Sequence, residues 1–154
     1  MSEETTRTSE LVRLLVHGTT YQMLDAAAAI GTLGEAAVLD VAPLLRSVHR
    51  ETRWRAAVAL ERVGPPAVEA LMVAASDADW KVRVPAIWAL EHIGDPRSIP
   101  TLLSNLHGKN ECCRWMAAAA LNRIGDEQVR QTVGEVFEDD PFGRGVIEEL
   151  THGS

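Results

Sequence analysis

Apolar residues along this chain follow a helical spacing. From Arg53 to Val63, the residues Ala56, Ala57, Leu60 and Val63 recur at intervals that put them on one face of an α-helix. The same order runs through Ala86, Ile87, Leu90 and Ile93, and again through Ala117, Ala118, Leu121 and Ile124. Each stretch closes on a related phrase: ALERVG at 59–64, ALEHIG at 89–94 and ALNRIG at 120–125, with a looser AIGTLG at 29–34. An arginine (Arg53, Arg83 or Arg114) stands six residues before the first alanine of each clear copy. The closing glycines Gly34, Gly64, Gly94 and Gly125 are 30, 30 and 31 residues apart. A fixed period of that size marks a stack of helical repeats.

Shorter apolar segments lie between these helices, at 35–48, Pro65–Ala75, Pro96–Leu106 and Glu127–Phe137. The reading is all-α: about five antiparallel helix pairs over 9–34, 35–64, 65–94, 95–125 and 126–154, as one domain 9–154. Residues 1–8 read as a flexible polar tail, with Ser9 as the N-cap of the first helix. The end pairs are imperfect copies. Met23 stands where later repeats have arginine, and the fifth pair keeps Arg144 but loses the closing phrase. Terminal repeats lack one neighbour and drift in this way. Pro43 and Pro85 fall inside helical segments and predict a bend or a lost hydrogen bond.

The frame Val82-Arg83, Ala86, Ala89-Leu90, Ile93-Gly94-Asp95 resembles the short HEAT-like repeats of the phycobilisome bilin-lyase type. Arg114, Ala117, Ala120-Leu121 and Ile124-Gly125-Asp126 fit the same frame, as do Arg53, Ala56, Ala59-Leu60 and Val63-Gly64. The resemblance covers 35–137 closely and the ends loosely. It implies a right-handed α-solenoid whose second helices line a concave side, with arginines and nearby acids tying neighbouring repeats. The functions it implies are broad: chromophore-lyase subunits, scaffolds and adaptors.

Composition narrows the field. The 154 residues are 46% hydrophobic and carry a net charge of −7, which argues against a nucleic-acid surface. No apolar run approaches the ~18 residues of a membrane helix. The opening MSEETTRTSE is not a secretory signal. Cys112 and Cys113 are adjacent, read as reduced thiols, and point to a cytoplasmic protein. An adjacent pair is poor ligand geometry for one metal ion, even with His92 or His107 nearby. No nucleophile, base and orienting group stand together, and no cofactor motif is present.

Candidate site residues fall into two sets. Arg53, Arg83, Arg114 and Arg144 form a ladder on the core face. Their stems would pack inside, and their heads would bond to Asp79, Asp140 and helix-end carbonyls, joining one repeat to the next. Trp54, Trp80, Trp88 and Trp115 flank the core stripe, as anchors for a partner or as fillers between repeats. Glu61 and Glu91 share a repeat position on that flank and would make the groove acidic. Such a groove suits a protein segment bearing Lys or Arg. The first functional expectation is therefore a non-enzymatic protein-interaction module or adaptor. The alternatives are a bilin lyase or lyase-like chromophore-handling subunit, and a structural or assembly subunit.

Overall fold

The computed structural model describes residues 3–153, which form ten α-helices and no strand. The first pair is α1 (Glu3–His17) and α2 (Thr20–Leu33), the second α3 (Glu35–Val41) and α4 (Arg50–Val63). Then come α5 (Val68–Ala74) and α6 (Trp80–Ile93), α7 (Ile99–Leu106) and α8 (Glu111–Ile124), and α9 (Glu127–Val136) and α10 (Pro141–His152). The second helices α2, α4, α6, α8 and α10 stack in one row, each on the next, while α1, α3, α5 and α7 lie against their own second helices. The fold is an α-solenoid.

The recurring phrase explains the row. Ala56, Ala57 and Leu60 of α4, Ala86, Ile87 and Leu90 of α6, and Ala117, Ala118 and Leu121 of α8 are all fully buried. These are the positions that the helical spacing places on one face. Helix starts are set by side chains that accept from free backbone N–H groups. Asn110 accepts from Cys113, Asp126 from Val129 and Asp140 from Gly143. Thr19 and Gln22 form a reciprocal capping box at the start of α2. Proline opens the single 3-10 turns before α5 and α7, at Pro65–Ala67 and Pro96–Ser98.

Three expectations are corrected. Residues 3–8 are not a loose tail: α1 begins at Glu3, Ser9 lies inside it, and Thr8 is buried. Met1 and Ser2 lie outside the described residues. Pro43 does not kink a long helix; α3 stops at Val41, and the chain continues as a 3-10 helix over Ala42–Arg46. Pro85 leaves α6 unbroken from Trp80 to Ile93. Its missing N–H removes one bond to Lys81, and its buried ring fills part of the core instead.

Gly64 shows why the phrase ends as it does. Its φ of 81° and ψ of −141° lie in a region that side chains rarely adopt. A methyl added there would touch nothing within 4 Å, so backbone strain alone opposes it. Gly134, inside α9, likewise has open space around an added methyl, but no positive φ. Gly64→Ala should therefore lower unfolding stability by roughly 1–3 kcal/mol. Gly134→Ala should raise it by roughly 0.5–1 kcal/mol. Urea denaturation of both variants checks the pair; equal effects would remove the conformational explanation.

Candidate functional site

Each ladder arginine folds back onto its own repeat. Arg53 Nη1 donates to the Ser47 carbonyl at 3.0 Å, and Arg83 Nη1 donates to the Asp77 and Ala78 carbonyls at 2.8 and 3.1 Å. Arg114 Nε reaches Leu106 O at 3.2 Å, and Arg144 Nη1 reaches Glu138 O at 2.6 Å. The acceptors are carbonyls where the first helix of the repeat gives way to the turn. Arg114 also reaches the next repeat, its guanidinium lying 4.9 Å from the centre of the Phe137 ring. The ladder's hydrogen bonds go to carbonyls and not, as expected, to Asp79 and Asp140. Those carboxylates instead cap α6 and α10, accepting from Lys81 N and Gly143 N at 2.9 Å.

Other residues join the repeats. Arg46 pairs with Asp77 at 3.0 Å, and the buried Asn105 donates to Ala75 O at 2.8 Å. Arg97 Nη2 reaches Pro65 O at 3.0 Å, and Arg55 Nη1 reaches Leu15 O and Gly18 O. Asp77 also accepts from its neighbour's backbone at Asp79. That bond and the Arg46 pair hold its carboxyl below the usual range.

The four tryptophans do not share one surface. Trp54 and Trp80 line an open cavity of about 880 Å³ across the N-terminal turns of α4, α6 and α8. Trp88 packs edge-on against Trp54 at 6.0 Å, and His92 lies tilted against it at 4.5 Å. Trp115 meets Phe142 at 5.8 Å, its Nε1 buried without a partner. The acids also lie elsewhere. Glu91 is 9% exposed and pairs with Arg123 at 3.1 Å, while Glu61 lies 3.7 Å from Arg62. Burial pushes Glu91 above the usual carboxyl range, against the pull of Arg123.

The cavity carries the opposite charge to the expected groove. Val84, Pro85 and Met116 extend the apolar wall begun by the two indoles, and Arg46, Arg50, Arg53 and Lys81 surround it. Asp79 is the one acid among its described lining residues. Of these cations only Arg53 was a site candidate from the sequence, because Arg50 and Lys81 fit no repeat frame. Cys112 also lines the cavity. A helix N-terminus alone would lower its thiol pKa, but burial pushes the thiol up, so it stays protonated near neutral pH. Cys113 is buried, and both thiols are free.

Among the described residues, no group of three or more His, Cys, Asp or Glu is placed to hold a metal ion. Nor is any described helix long and apolar enough to cross a membrane.

A row of stacked helices with a lateral cavity defines a helical-repeat protein. The chain belongs to the HEAT-repeat family, whose model matches residues 40–111 and again 68–150. No curated protein matches it in sequence. Its fold is similar to that in the structure of the complex of CpcE and CpcF of phycocyanin lyase from Nostoc sp. PCC7120. The likeness has a TM-score of 0.67 at 18% identity and covers 95% of this chain and 98% of that one. These findings overturn the first functional expectation. That expectation was a non-enzymatic protein-interaction module or adaptor.

Glu91 makes the pH dependence specific. Its folded pKa lies above its unfolded value, so its contribution to stability is full below pH 4.5 and is lost as pH rises through the folded pKa. The stability of Glu91→Gln relative to the parent should therefore be higher at pH 7 than at pH 4. Thermal melts at both values test this, and a difference independent of pH would exonerate Glu91.

Proposed function

We propose that this chain is a lyase-like subunit that handles an open-chain tetrapyrrole as its cargo, held in the cavity between α4, α6 and α8. The observation that carries the reading is the cavity's two-part lining, with indole and aliphatic walls beside Arg50, Arg53 and Lys81. An open-chain tetrapyrrole matches both parts. Its linked pyrrolic rings form a flat conjugated surface, and its propionates carry negative charge. The volume of about 880 Å³ falls within the ~300–1,000 Å³ typical of small-molecule sites. The fold likeness to a phycocyanin lyase structure agrees with this reading in kind. Because that structure is a complex of CpcE and CpcF, a protein partner belongs to the same proposal.

The cavity can bind, flatten and shield such a molecule. Stacking on Trp54 and Trp80 would fix the plane of the rings, and the apolar wall would keep water from one face. Cys112 is exposed in the cavity lining beside Met116, whose sulfur is 3.8 Å from it.

Biliverdin titrated into the purified protein should shift and sharpen the long-wavelength absorbance band and quench tryptophan fluorescence, saturating at one equivalent. Trp54→Ala and Trp80→Ala should each weaken binding by about tenfold, the equivalent of ~1.4 kcal/mol, with helical circular dichroism unchanged. An unaltered biliverdin spectrum in the presence of excess folded protein would sink the reading.

A further inference from the structure

One donor in the cavity has no acceptor. Arg53 is 8% exposed and lines the cavity, and its Nη1 is committed to the Ser47 carbonyl. Its Nε is buried and unpartnered. The other ladder arginines differ. Arg114 uses Nε on the Leu106 carbonyl, and neither Arg83 nor Arg144 is buried. In a guanidinium group, Nε–H and one Nη2–H point the same way along one edge, a fork that fits a carboxylate side-on. With Nη1 held by the backbone, that edge of Arg53 is the one whose Nε is left without a partner.

The surroundings favour an anion there. Arg50 and Lys81 line the same cavity, and Asp79 is already committed to the Lys81 N–H. Helix α4 begins at Arg50, and its N-cap residue His49 offers no side-chain acceptor to the first turn. The acid in its first turn, Glu51, is paired with Arg55 at 2.7 Å.

We propose that Arg53 is a carboxylate-binding residue. It takes one propionate of the tetrapyrrole side-on through Nε and Nη2 while the rings lie against Trp54 and Trp80. The proposal rests on the bilin reading above and names how that ligand is oriented. One rung of the ladder thereby serves twice, since Nη1 fixes the turn while the opposite edge binds the carboxylate.

Biliverdin and its dimethyl ester, titrated separately into the unmodified protein, test this without any substitution. The free acid should bind at least about tenfold more tightly than the ester, because the ester cannot form the charged fork. Arg53→Gln, checked for folding by circular dichroism, should bind the acid and ester alike, while Arg53→Lys should keep part of the preference. Equal binding of acid and ester to the unmodified protein overturns the carboxylate site and leaves the bilin reading standing. A preference that survives in folded Arg53→Gln also overturns it, by assigning the carboxylate to other cations. Failure of both compounds to bind removes the bilin reading itself, and this proposal with it.

Discussion

Close approach of neighbouring second helices is the constraint on which the rest of the structure depends. The contact line is built from alanine: Ala56, Ala57 and Ala59 in α4, Ala86 and Ala89 in α6, and Ala117 to Ala120 in α8, all essentially inaccessible. Gly31 shows how tight the line becomes between α2 and α4. A methyl on it would lie 2.8 Å from the Arg62 carbonyl. Side chains this small bring backbones together, and in a close-packed interior they leave no room for bulk along the seam. Large aromatics are therefore displaced to the flanks. Trp54 and Trp80 end at a cavity wall, while Trp88 and Trp115 lean on other rings.

A division of labour follows. The arginine repeated at the fixed period shapes each repeat internally, by closing the turn between its two helices. Most hydrogen bonds between repeats fall to residues outside the common frame, such as Asn105 on the Ala75 carbonyl and Arg46 on Asp77, while Arg114 adds a stacking contact to Phe137 of the next pair. The arrangement is physically sensible. Every repeat must make the same turn, so that residue recurs. Each interface has its own neighbours, so its linking residues vary.

The same division explains what could be read from the chain alone. Helix pairs, buried faces and glycine stops followed from spacing, because burial on a helix has a period that composition exposes. The ladder's burial at Arg53 was readable on those grounds, but its bonding partners were not, because a carbonyl acceptor leaves no trace in the sequence. The tryptophans were visible as unusual residues. Yet a helical wheel places them only by angle, and the angle put four in one groove where the structure puts two in the cavity. The groove's sign was misjudged for the same reason. Glu61 and Glu91 sit toward the helix ends opposite the cavity, while Arg50 and Lys81 sit at the starts, and a wheel discards position along the axis.

Arg123 has a consequence for how the stack comes apart. From α8 it pairs with Glu91 of α6, and it donates to the Thr151 carbonyl at the end of α10 at 3.0 and 2.6 Å. In a linear array, each unit ordinarily senses only its immediate neighbours, so the ends open first and independently. Here one guanidinium touches three successive second helices. Fraying of the last helix strips Arg123 of these carbonyl acceptors, while its pair with Glu91 stays in place. One side chain thereby links the C-terminal end to the pair before its neighbour, a coupling that favours joint opening of the last three pairs over fraying one at a time.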